Sequence, residues 1–228
     1  YIAPHFENDA ANDSLIYQIA YNYILRADTS IVLSLLDSKS AKLAQDTSRV
    51  SYDRRNRLDS LKGLMQKRGI TIVSSPSPNF TERNPGEKIK QIIIRSTWGR
   101  SIESDRLWYT DPSSGQSVHY LIGPNGKIIR LVDEANRAWH LRGHNKASIG
   151  IALSNYGQLQ KQENSFYAWP KSYSTKYTKS DTFEDKGTYW EKHPEVQIKA
   201  LEDLLIIILK QYELKTDSIK FLDEFPER

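Results

Sequence analysis

Residues Ser117 to Tyr156 read SVHYLIGPNGKIIRLVDEANRAWHLRGHNKASIGIALSNY, and this stretch decides the fold. Val118 to Ile122 and Lys127 to Val132 are short apolar runs on either side of Pro124-Asn125-Gly126. Asn-Gly between two such runs is a strong hairpin signal, because both residues tolerate the positive φ that a tight turn demands. Ser148 to Ser154 (SIGIALS) reads as another short strand.

Outward from this stretch the pattern continues. Upstream, Ile89 to Thr97 contains Ile92-Ile93-Ile94, an unbroken apolar run of the kind found in central strands buried on both faces. Downstream, Val196, Ile198, Leu201, Leu204, Leu205, Ile208 and Leu209 make a broad apolar stripe at helical spacing. Pro194 suits the first position of that helix, where a missing N–H costs nothing. Ile219 to Leu222 reads as the last strand. Strands mixed with a packed helix predict an α/β fold, a mixed central sheet flanked by helices.

The first third, residues 1–73, reads as a helical region. Asn12-Asp13-Ser14 can cap a helix whose face carries Leu15, Ile16, Ile19, Ala20, Tyr23 and Ile24. A second apolar stretch spans Ile31 to Leu36. A third, with Leu58, Leu61, Leu64 and Met65, stops before Gly69, a natural C-cap. These helices would form a small bundle or lie against the next domain. Ser74 to Lys88 is rich in Pro, Ser, Gly and charge, so residues 74–87 are expected as a linker or an extended crossover and 88–228 as the main domain.

The chain has 228 residues, 38% hydrophobic and 26% charged, the composition of a globular protein. A net charge of +4, from 32 basic and 28 acidic side chains, is too small and dispersed to argue for nucleic acid. The absence of cysteine excludes disulfides, thiolate metal sites and a cysteine nucleophile. No stretch approaches the roughly 20 apolar residues of a transmembrane helix. The chain opens on Tyr1 rather than Met, as a processed chain or a fragment would.

The order of features from Ser117 to Tyr156 resembles the zinc-dependent N-acetylmuramoyl-L-alanine amidases and the related peptidoglycan recognition proteins. It contains a histidine-aromatic strand (His119-Tyr120), an Asn-Gly hairpin, a Trp-His pair (Trp139-His140), a small-residue loop with Asn145, and the signature Ser148-Ile149-Gly150-Ile151. The resemblance covers about Lys88 to Arg228. It implies a cleft along Arg95, Thr97, His119 and Trp139-His140. The implied cleft also runs along the loop carrying Arg142, His144 and Asn145.

The resemblance also implies a zinc ion with three protein ligands and one open position, where it activates water and polarises the amide carbonyl. This sequence departs from that pattern. Arg95 stands where the first ligand, a histidine, is expected, and a guanidinium has no lone pair to offer. Ala152 replaces the glutamate that many relatives carry after SIGI. Leu222 falls at the second ligand, and only six residues follow it. Zinc, the cofactor of the family, is therefore not expected here; His119, His140 and His144 are the only nearby candidates for a relocated site.

A cleft without its metal can still hold its ligand. Arg95 would place a planar cation, suited to a carboxylate of the stem peptide, where the family places a dication. Alternatively it pairs internally with Asp223 or Glu224. The segment 157–193 is an insertion that interleaves Phe166, Tyr167, Trp169, Tyr173, Tyr177, Phe183, Tyr189 and Trp190 with polar residues. It is a candidate glycan wall or protein-docking surface, although most such rings simply pack.

The leading expectation is a non-catalytic peptidoglycan-binding domain of the bacterial cell envelope, in the periplasm. The alternatives are an active amidase, and a scaffold subunit that engages a protein partner through its helical region or its aromatic insertion.

Overall fold

The structure, a computed structural model, describes residues 69–99, 101–162, 165–168, 176–185 and 187–225. The helical stretches expected before Gly69 lie outside the described residues, as do Trp169 and Tyr173 of the insertion.

The strands are β1 (Ile72–Ser74), β2 (Phe80–Glu82), β3 (Gln91–Ser96), β4 (Tyr120–Ile122), β5 (Ile128–Arg130), β6 (Asn136–Ala138) and β7 (Ser148–Leu153). After them come β8 (Gln158–Gln162), β9 (Ser165–Ala168), β10 (Lys176–Tyr177), β11 (Thr182–Asp185), β12 (Thr188–Glu191) and β13 (Ile219–Phe221). Two α-helices complete the described set, α1 (Ile102–Thr110) and α2 (Glu195–Gln211). The central sheet runs β1-β5-β4-β7-β3-β13. All its pairs are parallel except the β4–β5 hairpin, as expected of a mixed sheet.

The Asn-Gly turn forms where expected, with Gly126 at φ +77°. β3 lies between β7 and β13, and Ile92, Ile93 and Ile94 are all essentially inaccessible. Ile92 and Ile94 face α2, where they meet Ile149, Ile151, Leu201, Leu204, Leu205 and Ile208 in one core. Ile93 points to the other side, against Leu141 and Leu222. Two-sided burial is thus the reason for the unbroken isoleucine run. Pro194 is the N-cap of α2, in extended conformation, so the helix begins one residue later than its sequence pattern implies.

Two expectations need correction. Residues 74–87 follow the crossover reading rather than the linker reading, and residues 72–73 are strand rather than helix. β1 adds to the edge of the central sheet beside β5, and β2 pairs with β6. Ser77 and Asn79 are buried, and the Asn79 amide donates to Asp111 O at 2.8 Å and Gln116 O at 3.0 Å. Composition misleads here because the segment is held by hydrogen bonds rather than by apolar burial. The insertion, in turn, is no simple loop. Its described residues form a second, antiparallel sheet in the order β10-β9-β8-β12-β11, with Leu159, Phe166 and Tyr177 packed between its strands. None of the described helices is long and apolar enough to cross a membrane.

Candidate functional site

The face of the central sheet opposite α2 carries the candidate site. In register across it, Arg95 of β3 lies beside Ala152 of β7, and Ala152 beside Leu121 of β4. On the other flank Phe221 of β13 pairs with Ile94, so Leu222 follows at the level of Arg95. Leu222 is buried against Ile93 and Leu141. Arg95, Ala152 and Leu222, the three positions expected to depart from the zinc pattern, therefore sit side by side, with Arg95 in the middle.

Arg95 is only partly exposed, and its Nε is buried with no hydrogen-bond partner among the described residues. Asp105, one turn into α1, is the buried acid whose charge it feels. The Asp105 Oδ2 accepts hydroxyl hydrogen bonds from Thr97 at 2.8 Å and Ser154 at 2.5 Å. Burial pushes its carboxyl up to about 6, against the opposing pull of those two hydroxyls and of the Arg95 guanidinium. Gly99 is required beside it, since a Cβ there would lie 1.6 Å from the Asp105 Oδ1. Sequence reasoning misses Asp105. The available signal is an acid at helical spacing between Ile102 and Tyr109, inside an apolar stripe.

The histidines are scaffold. His119 is fully buried; its Nδ1 accepts from Gly150 N at 2.9 Å and its Nε2 donates to Asn136 O at 3.1 Å. Both nitrogens are thereby committed and the ring is neutral, its pKa driven down to about 3 by burial. His140 donates from Nδ1 to Ala138 O at 3.1 Å, and its Nε2 lies 2.8 Å from the Ser148 hydroxyl, which also bonds His144 O at 2.8 Å. Its ring rests on Gly150, where a Cβ would come within 2.5 Å of the imidazole, so the glycine of SIGI exists to admit His140. Burial lowers its pKa well below the ordinary value. His144 Nδ1 lies 3.2 Å from the Gln91 amide, and its ring meets Phe225.

Asn145 is structural as well. Its Oδ1 accepts from His140 N at 3.1 Å and Leu141 N at 2.8 Å, closing the loop. Arg142, between them, is exposed. Trp139 is 37% exposed, with its indole N–H tied to the Thr81 hydroxyl at 2.9 Å, which fixes the ring and leaves area open to solvent. Of the expected cleft residues, Arg95, Thr97, Trp139 and Arg142 thus remain available or border the available region. His119, His140 and Asn145 lie beneath it.

Arg95 and Leu222 supply no donor, Ala152 supplies none, and no group of three His, Cys, Asp or Glu side chains among the described residues could hold a metal. Glu224, one of the two acids expected as an internal partner for Arg95, accepts from Phe221 N at 2.7 Å and faces Lys220 at 3.4 Å.

The sequence profile of N-acetylmuramoyl-L-alanine amidases matches residues 85–221 of this chain. The chain belongs to that amidase family. N-acetylmuramoyl-L-alanine amidase A of Achromobacter lyticus is 38% identical over 60 residues, 26% of this chain and 34% of that protein. The match therefore spans only about a third of the relative's length. Among solved structures, AmpD superposes with a TM-score of 0.45 at 20% identity, over 69% of this chain and 84% of its own. Drosophila peptidoglycan recognition protein SA gives 0.46 at 16% identity, covering 69% and 83%. AmiD from E. coli, solved with anhydro-N-acetylmuramic acid-L-Ala-D-γ-Glu-L-Lys, gives 0.42 at 22% identity, covering 64% and 57%.

Proposed function

We propose that this amidase-fold domain binds muropeptide in the bacterial cell envelope without hydrolysing it. Arg95 is the fixed cation of its cleft. The observation that carries the reading is the Arg95 side chain, flanked by Ala152 and Leu222 and holding a buried Nε–H with no described partner. The buried Nε is closed to solvent, so an arriving ligand would meet the rest of the guanidinium. The ligand class follows from geometry. A guanidinium presents parallel N–H donors to a carboxylate, and a stem peptide offers carboxylates on its D-γ-linked glutamate and at its C-terminus.

Asp105 tunes this cation. With Thr97 and Ser154 donating to it, its carboxyl holds negative charge behind Arg95 and keeps the cleft from being a bare positive site. Trp139 adds a fixed aromatic surface suited to stacking on a sugar ring. Retention of the protein on insoluble sacculi, compared with that of an Arg95→Ala variant, tests the proposal. Wild type should be retained at moderate salt and the variant should lose most of that retention; equal retention of the two would sink it. Family membership itself favours the competing reading, an active amidase, which the measurement closing the Discussion addresses.

A further inference from the structure

Asp105 sits in surroundings that accept either of its charge states. Its side chain is buried, with Oδ1 against Gly99 and Oδ2 between the Thr97 and Ser154 hydroxyls. The two hydroxyls are not equivalent. Thr97 Oγ1 already accepts from Gly99 N at 3.1 Å and Asn155 N at 3.3 Å, which uses both its lone pairs. Its own hydrogen therefore goes to Asp105 Oδ2 at 2.8 Å rather than to Asn155 O at 3.5 Å. Ser154 Oγ has no other bond among the described residues, so its bond to Oδ2 runs in either direction. It donates to a carboxylate and accepts from a carboxylic acid. A lysine, an arginine or a backbone N–H at that place could only donate, and would hold the carboxyl ionised.

The charged side chain that this carboxyl feels is Arg95, reaching from β3. Tyr109, one turn further along α1, feels both of them, and burial raises its phenol above the ordinary range, so it stays neutral. Glu103 and Arg106, on the exposed side of α1, pair with each other. The field behind Arg95 is therefore set by one proton, the one on Asp105.

We propose that Asp105 is a positioning residue that couples anion binding at Arg95 to the uptake of a proton. The proposal rests on the reading of Arg95 as the cation of the cleft. As a carboxylate, Asp105 competes with an arriving anion for the guanidinium; as a carboxylic acid it does not. Asp105 acts without touching the ligand, because it is buried whereas Arg95 is partly exposed. The coupling is reciprocal: the proton strengthens anion binding by the same factor as the anion strengthens proton binding. Burial brings the Asp105 carboxyl up to about 6, so affinity is highest in acid and falls as pH rises through that value. The carboxylates of a stem peptide, at an ordinary value of about 4, stay ionised throughout that range.

The test follows binding of a soluble probe, N-acetylmuramoyl-L-Ala-D-γ-Glu, to wild type, Asp105→Asn and Arg95→Ala. Between about pH 5 and about pH 7.5, wild type should lose affinity by roughly threefold to tenfold, while Asp105→Asn keeps the affinity wild type has in acid. A parallel fall in Asp105→Asn would overturn the coupling, and so would a wild-type affinity that depends on Arg95 but not on pH. Absence of binding by wild type in acid, or equal binding by Arg95→Ala, would overturn the reading of Arg95 and the coupling with it. If Asp105→Asn does not fold, wild type alone decides. Binding at about pH 6.5 should take up about a quarter to a half of a proton per site, measured by calorimetry in buffers of different ionisation enthalpy. Binding without net proton uptake would overturn the proposal.

Discussion

Arg83 and Arg95 place the same guanidinium in two regions of one domain, and the two regions treat it in opposite ways. Arg83 donates to four backbone carbonyls: Glu134 O at 2.9 Å, Asn145 O at 3.1 Å, Lys146 O at 2.8 Å and Ser148 O at 2.8 Å. It thus ties the segment before β3 to the turn after β5 and to the loop that leads into β7. Its polar neighbours are committed too, from both nitrogens of His119 to the bidentate Arg137–Glu87 pair. Arg95, on the sheet face opposite α2, keeps a buried donor unmet and feels an acid whose carboxyl burial pushes up to about 6. A cation tied by four bonds to backbone carbonyls holds structure. One with fewer described partners is, in the proposed reading, the one left for a ligand.

The largest expected effect falls on the satisfied arginine. Arg83→Ala leaves four carbonyls without their donor and should destabilise the domain by about 3 kcal/mol or more, read from urea unfolding. Arg83→Lys should recover little, because one ammonium cannot span positions that a planar fork reaches. If Arg83→Ala unfolds like wild type, the contrast between the two regions fails.

A pH effect of similar size is expected at Asp105. Its carboxyl titrates at about 6 in the folded protein against an ordinary 3.8, so the folded state holds the proton more tightly than the unfolded one. That contribution is complete below about pH 4 and is lost as pH rises through about 6, a swing of roughly 2–3 kcal/mol. Asp105→Asn removes the titration. The stability of the variant relative to wild type should therefore climb between pH 4 and pH 7, and a flat difference across that range would contradict the assignment. The buried histidines act in the opposite sense. His119 and His193 are held at about 3 and about 4, so both proteins should lose stability as pH falls below about 6.

Smaller effects distinguish the cleft itself. Arg95→Met keeps the length of the side chain but deletes the unmet donor, so stability should change by less than about 1 kcal/mol or rise, while sacculus binding falls. Trp139→Ala should weaken binding by roughly threefold to tenfold with little change in stability, as expected for one exposed ring. A large loss of stability in either variant would move that residue from the cleft to the scaffold.

Much of this contrast is legible in the sequence, but not all of it. The Asn-Gly hairpin, the isoleucine run and the α2 stripe announce themselves because local turn chemistry and burial periodicity act on neighbouring residues. The position of Arg95 is legible because flanking residues pin it to the strand. What stays hidden depends on polar contacts across long separations. The segment 74–87 looks like a linker because Ser77, Asn79 and Arg83 carry no hydrophobic signal; their partners lie at 109–117 and 134–148. His119, His140 and Asn145 look like cleft residues by resemblance, and only the placement of their ring nitrogens and amide oxygen shows them bonded to backbone. The insertion reads as a loop because strands paired only with one another leave little apolar periodicity.

We propose that the Arg95 guanidinium takes the place of the family's metal, so that binding outlives catalysis. The most direct measurement incubates the protein with purified sacculi and excess zinc and follows free stem peptide by mass spectrometry, with metal content determined on the same preparation. The expected result is retention on sacculi that a chelator leaves unchanged, less than stoichiometric zinc, and no peptide released above a no-protein control. Stoichiometric zinc together with chelator-sensitive release of stem peptide would contradict it.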